Sequence, residues 1–338
     1  MNALSQVWLG EGNFQKKEVA LPSLRQDELI VELEAATVCG SDRHTVQGRR
    51  QSPSPSILGH EGVGRVIATT RPELSVGQRV VFSVVSSCGS CARCMSGFHA
   101  KCLHAQKVGH EPFDGDWPLS GTYSTHIHLR AGQTVLPVVD HVSDAAASIA
   151  SCAIATVMAA FESAGSVEGK TVLVNGVGML GLVALAEATR RGAARTIGCD
   201  PGGRTFHLAG PFADDLVTST SGVEADVVLE CSGSRTGVEK SLDTLEMGGT
   251  AVLVGSVAPA GTIALDPEWV VRGWRTIRGV HNYEPRHLAQ AVEFVERTAN
   301  PLDWDAITGE PITLDDVPGE LQASKSSMRR LIRMSADI

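Results

Sequence analysis

Four cysteines, Cys88, Cys91, Cys94 and Cys102, stand in the stretch CGSCARCMSGFHAKC. Two-residue gaps let three thiolates turn onto one point, and the loop of seven residues after Cys94 returns the fourth. Four sulfurs fill a tetrahedral zinc shell and leave no position for a reactant, so this set reads as structural. A second set of metal-ligand residue types lies outside it: Cys39 in VCGSDRH, His60 with Glu61 in GHEGVG, and Cys152 in an Ala-rich stretch. Cys, His and Cys suit zinc with a fourth position open to water or an alcohol. Spacing alone leaves this open, because cysteine is often a small buried hydrophobe and Cys152 among alanines reads more readily as core.

A third group carries different chemistry. The apolar run TVLVN (171–175) leads into Gly176-Val177-Gly178-Met179-Leu180-Gly181 and then a helical pattern. In that context Gly176 allows a tight turn, Gly178 lets a pyrophosphate approach the backbone, and Gly181 lets helix and strand pack closely. The helix N-terminus offers free N–H groups to the phosphates. Asp200 ends the next strand, 19 positions after Gly181, where an acid that bonds the adenosine ribose is expected. A carboxylate there repels a 2′-phosphate and favours NAD over NADP, although Arg204 lies close by.

The elements that must position these groups fall into two kinds. A chain of 338 residues, at roughly 100–200 per domain, suggests two domains. Up to about residue 130 the pattern is β-rich with long loops, and 28–38, 62–68 and 79–85 read as strands. The stretch 144–164 reads as a helix, with Asp144 as its cap and Gly165 as its end. Beyond it strands at 171–175, 195–199, 226–230 and 250–256 alternate with helices at 177–191 and 234–246, the grammar of a parallel sheet built from βαβ units. An amphipathic helix is expected over 284–298. The net charge of −9, with no basic run, disfavours nucleic acid and anionic membranes. No apolar run is read as long enough to span a membrane. No secretory leader is read at the N-terminus, and eight cysteines in such a chain argue for metal ligation in a reducing, cytoplasmic setting.

At VCGSD, GHEGVG, the four-cysteine lobe, CAIAT and VNGVGMLG, in that order, the chain resembles the zinc-containing medium-chain alcohol dehydrogenases. The resemblance runs from about residue 25 to about residue 280. It implies an α/β architecture: a GroES-like irregular β catalytic domain over 1–153 with a structural zinc lobe at 86–103, a Rossmann domain with a doubly wound parallel sheet over 154–281, and a return to the catalytic domain over 282–338. It implies two zinc ions per chain, one held by Cys39, His60 and Cys152 and the other by Cys88, Cys91, Cys94 and Cys102. It also implies Glu61 beside the catalytic metal, Asp42 behind the histidine ligand, a Ser41–His44 proton path, and Thr156 and Leu180 against the nicotinamide of NAD. A homodimer or homotetramer is expected, joined through an edge strand near 250–256.

The segment 201–225 is shorter than the resemblance implies, with room for only a reduced helix before the next strand. Two further stretches, 109–129 and 278–294, resemble a subgroup associated with phosphonate metabolism, which implies a short hydroxyalkylphosphonate as substrate. Trp117 and His281 are then expected in the substrate pocket, and Arg43, Arg49, Arg50, Arg278 and His281 are the cations among which an anion would choose. A polyol dehydrogenase is the alternative on the same scaffold. A non-catalytic NAD-binding protein and a zinc-finger module are the alternatives of other classes.

Overall fold

The computed structural model describes residues 1–297, 302–323 and 328–334. Two compact units divide the chain: Met1–Ala155 together with the segment that returns at Glu284, and Thr156–Tyr283.

In the first unit, strand Leu29–Thr37 pairs antiparallel with Gly62–Thr69, which pairs with Arg79–Ser86. Side chains on a strand alternate between faces, so Leu29, Val31 and Leu33 point together into a core with Val66, Phe82, Ile127 and Leu129. Strand Leu331–Arg333 pairs with the other end of Leu29–Thr37, Ile332 opposite Ala36, and so carries the C-terminal return back to the first strands. A hairpin of Asn2–Gly10 and Asn13–Ala20 lies outside the strands read from sequence. Its second strand is polar and mostly exposed, so it lacks the apolar alternation that marks a strand.

The Ala-rich helix runs Asp144–Ala164. Ser143, not Asp144, caps it, its hydroxyl accepting the Ala146 N–H at 3.3 Å. Gly165, at φ +80°, ends it in the left-handed conformation a glycine takes without strain. Its middle, Ala150–Ile154, widens into a π turn. Contrary to the sequence expectation, this helix is long and apolar enough to cross a membrane, but 83% of its apolar window is buried inside the fold. The packing of the protein itself accounts for its apolarity.

The second unit holds six parallel strands in the spatial order Asp215–Val217, Arg195–Cys199, Thr171–Asn175, Ala225–Glu230, Leu245–Leu253, Thr276–Gly279. The order reverses beside Thr171–Asn175, and such a switch point opens a crevice at the carboxyl ends of the strands. The short segment 201–225 keeps a strand but reduces its helix to one turn, Phe206–Ala209. Residues 250–253 lie in Leu245–Leu253, which is paired on both sides. The edge on that side of the sheet is Thr276–Gly279, which corrects the expected edge.

Candidate functional site

Cys39 precedes the short helix Gly40–Val46, and Asp42 on its first turn reaches back so that Oδ2 accepts the Cys39 N–H at 3.1 Å. The other carboxylate oxygen stands 3.2 Å from His60 Nδ1. Tyr123 donates its hydroxyl to Asp42 Oδ2 at 2.8 Å. With Nδ1 held on that side, His60 Nε2 faces away from the carboxylate, 3.3 Å from Ser41 Oγ. A carboxylate behind a histidine in this way fixes the ring and raises its basicity as a ligand. The π turn carries Cys152 to the same point, and the ligand atoms of Cys39, His60, Glu61 and Cys152 all lie within 4.8 Å of one another.

Cys39, His60 and Glu61 are buried, and charge accumulates around them. The Cys152 thiol beside Cys39 holds the Cys39 thiol well below its usual range, and burial opposes this less strongly. Cys152 keeps the shared proton and is pushed up. Burial works against charge on His60, yet the Asp42 carboxylate and the Cys39 thiolate outweigh it and hold His60 well above its usual value. Burial pushes Glu61 up to about 7 against the pull of Arg329. Glu61 accepts from Thr37 Oγ1 at 2.6 Å and from Arg329 Nε at 3.1 Å. Two thiols, an imidazole and a carboxylate form a soft donor set that fits zinc.

The four-cysteine lobe has the spacing of a closed site. Cys91 Sγ lies 3.5 Å from Cys94 Sγ and 3.9 Å from Cys102 Sγ, and Cys102 Sγ lies 3.5 Å from Cys88 Sγ. A zinc ion with bonds of about 2.3 Å sets the sulfurs of a tetrahedron about 3.8 Å apart. N–H groups of Leu103 and Cys94 hold the Cys91 thiol down at about 6. Glu284 ties the lobe to the returning segment, accepting the N–H groups of His99 and Ala100 at 2.9 and 3.1 Å.

In the second unit each glycine of the motif does separate work. Gly176 has φ +95°, and a Cβ there would meet Ser232 N at 2.5 Å. A Cβ on Gly181 would run into the Gly176 carbonyl at 2.0 Å, whereas around Gly178 nothing lies within 4 Å. Gly178 is the N-cap of helix Met179–Arg190, so this open space meets free N–H groups and fits a pyrophosphate. Asp200 is oriented beside it, accepting from Val177 N at 3.2 Å and Gly202 N at 2.9 Å. Leu180 and Thr156 are half-buried.

Other expected residues fall elsewhere. Trp117 is 1% exposed among the strand residues of the first core, and its indole N–H donates to the His128 carbonyl at 2.7 Å. It is a core residue, and its apolar bulk is used in packing and not on a pocket wall. His281 is exposed in the second unit. Arg43 is buried and ion-paired with Glu320, and Arg278 bonds the Ser163 carbonyl at 3.0 Å. His44 is half-buried on the helix of Ser41. Tyr123, Arg329 and His110 were not singled out from sequence. The His110 ring centroid lies 5.7 Å from that of His60. Of the three, only His110, in the GHE run of 109–111, carried a visible signal.

Residues 25–140 match the alcohol dehydrogenase GroES-like domain, and residues 180–297 match the zinc-binding dehydrogenase family. An alcohol dehydrogenase of Geobacillus stearothermophilus is 31% identical over 260 residues, 71% of this chain and 74% of that protein. A sorbitol dehydrogenase of Halalkalibacterium halodurans is 30% identical over 281 residues, 76% and 78% of the two chains. The crystal structure of an alcohol dehydrogenase from Thermotoga maritima superposes with a TM-score of 0.89 at 26% identity, covering 98% of this chain and 99% of the other.

Proposed function

The chain belongs to the zinc-type medium-chain alcohol dehydrogenase family, and on that premise we propose that it moves hydride between a small alcohol and NAD. The observation that carries this reading is the convergence of Cys39, His60, Glu61 and Cys152 on one buried point, with the Ser41 hydroxyl beside it. When bound, zinc supplies Lewis acidity toward a substrate oxygen and NAD supplies the hydride acceptor. Cys39, His60 and Cys152 hold the metal, and Cys88, Cys91, Cys94 and Cys102 hold a second, structural ion. Ser41 takes the proton that leaves the substrate hydroxyl, and His44, farther along the same helix, passes it outward. Asp42 and Tyr123 keep Nε2 of His60 turned to the metal side. Glu61, held by Arg329, keeps a carboxylate beside the ligands. Gly176, Gly178 and Gly181 seat the pyrophosphate, Asp200 the ribose, and Thr156 and Leu180 the nicotinamide.

The finer reading is a short hydroxyalkylphosphonate as substrate, acted on by a cytoplasmic homo-oligomer. A polyol is the second reading, favoured by the likeness to a sorbitol dehydrogenase. The experiment is NADH formation by zinc-replete protein on 2-hydroxyethylphosphonate, propan-1-ol and sorbitol, with Cys39→Ser as control. Turnover that disappears in Cys39→Ser supports the dehydrogenase, and preference for the phosphonate supports the finer reading. Equal turnover by Cys39→Ser would refute the role of the cluster. NAD binding without any turnover would favour the non-catalytic alternative.

A further inference from the structure

Glu230 in the second unit is fully enclosed, takes no part in the chemistry described above and has no ion pair among the described residues. Burial pushes its carboxyl up, and hydrogen bonds from Ser232 and Gly233 only partly offset that push. A buried carboxylate without a cation opposes folding, so stability does not account for its place.

The residue ends strand Ala225–Glu230, between Thr171–Asn175 and Leu245–Leu253. Its carboxylate bends the chain that follows. Oε1 accepts the N–H groups of Ser232 at 2.9 Å and Gly233 at 3.1 Å, and the Ser232 hydroxyl donates to it as well. Oε2 stands 3.3 Å from Gly233 N. The Glu230 carbonyl accepts from Val254 and Gly255, each at 2.9 Å, which fixes the residue to the neighbouring strand end. The Ser232 hydroxyl accepts the Ser234 N–H at 3.2 Å, and Ser234 caps helix Arg235–Asp243. One carboxylate thus organises the turn from strand to helix.

That turn is pressed against the glycine motif. A Cβ on Gly176 would stand 2.7 Å from Ser232 Cα and 2.9 Å from the Cys231 carbonyl carbon. The Cys231 N–H donates at 2.7 Å to the carbonyl of Asn175, the residue before Gly176. On the other side a Cβ on Gly233 would meet the Gly255 carbonyl at 2.2 Å. Residues 231–233 are wedged between these two glycines, and Gly176 leads into the open space at Gly178. The Asn175 amide adds a second link to the helix that follows the turn, donating to the Gly237 carbonyl at 2.9 Å and to Ser241 Oγ at 2.8 Å.

We propose that Glu230 is a positioning residue of the dinucleotide site, its carboxylate setting the turn 231–234 against Gly176 and so the shape of the cradle at Gly178 that receives a pyrophosphate. This rests on the dinucleotide site of the dehydrogenase reading. A backbone that must meet a ligand closely depends on the buried groups that support it, even where those groups touch no ligand.

The test uses zinc-replete, full-length wild type, Glu230→Met, Glu230→Gln and Ser232→Ala, with zinc content and thermal midpoint checking the fold. Methionine keeps the side-chain volume and removes every acceptor, whereas glutamine keeps one. NADH is titrated by fluorescence well below the midpoints, and KM for NAD and kcat are measured on the alcohol that wild type turns over. Expected is a Kd for NADH about 10-fold higher in Glu230→Met and about threefold higher in Ser232→Ala, with Glu230→Gln restored to near the wild-type value. KM for NAD is expected to rise by more than kcat falls, a split that a loss of folded protein does not produce. A wild-type Kd in folded Glu230→Met overturns the proposal. Should that variant not fold, Ser232→Ala decides, and an unchanged Kd there overturns it. If wild type turns over no alcohol, weakened NADH binding in the variants still upholds the positioning role and refutes only the dehydrogenase reading. No NADH binding by wild type overturns both.

Discussion

Glu61 shows how one buried side chain joins stability to the metal centre. It is fully enclosed, and its pKa of about 7 stands well above the usual carboxylate value because burial exceeds the help from Arg329. A carboxyl raised in the folded state favours folding below its unfolded pKa and gives that contribution up as pH climbs through its folded pKa. In metal-free protein, Glu61→Gln removes this dependence. The thermal midpoint of the variant relative to wild type is therefore expected to rise between about pH 5 and pH 8, and a flat difference would contradict it. Arg329→Met acts in the opposite sense: it leaves the Glu61 carboxylate without its ion pair, and above pH 7 a loss of about 3–5 kcal/mol is expected in denaturant unfolding. Neither partner signals the other in sequence. They are 268 positions apart and meet because Leu331–Arg333 pairs with Leu29–Thr37.

At the scale of elements, the π turn Ala150–Ile154 decides whether Cys152 is core or ligand. A π turn carries one residue more than an α turn and is often found where a side chain must be re-aimed. Deleting Ala150 is expected to restore regular α geometry and swing Cys152 by about 100° relative to the preceding turn. The variant should bind one zinc where wild type binds two, with unchanged far-ultraviolet dichroism. Retention of both ions would show that the turn does not aim the thiol. This explains what the sequence made legible. The glycine motif was readable from local context because strand, turn and helix are consecutive, and Gly181 packs on the Gly176 carbonyl within the motif itself. The four-cysteine lobe was readable for the same reason. Cys152 was not, since an Ala-rich run carries no mark of a π turn, and only the resemblance pointed to it. Trp117 was misplaced because an aromatic side chain in a loop-rich stretch gives no sign of which strands enclose it. Tyr123 and His110 are positioned by backbone contacts to Leu58 and Gly59, which no spacing announces.

At the scale of the molecule, the second unit presents exposed apolar side chains beside one of the two edges of its sheet. Thr276–Gly279 pairs on only one side among the described residues. Just before it, Trp274 is 85% exposed and Val271 71%, and Met247 on the neighbouring strand is 78% exposed. A row of unpaired backbone groups beside large exposed apolar side chains favours pairing with another chain, and natural sheets otherwise blunt such an edge with charge or proline. The apolar helix Asp144–Ala164 needs no partner of this kind, since its own fold covers it. Two copies joined through their edge strands would continue the sheet from one chain into the next and bury Trp274 with the same stroke. Trp274→Glu keeps every backbone pairing within the chain but sets a charge in the joint. In sedimentation velocity at micromolar concentration, wild type is expected to run as an oligomer and Trp274→Glu to shift toward the monomer, by about 2–4 kcal/mol in association free energy for an aromatic anchor of this size. Identical sedimentation of the two proteins would place the interface elsewhere. Since the nucleotide motif lies on Thr171–Asn175, three strands from that edge, the monomeric variant should still bind NAD with wild-type affinity.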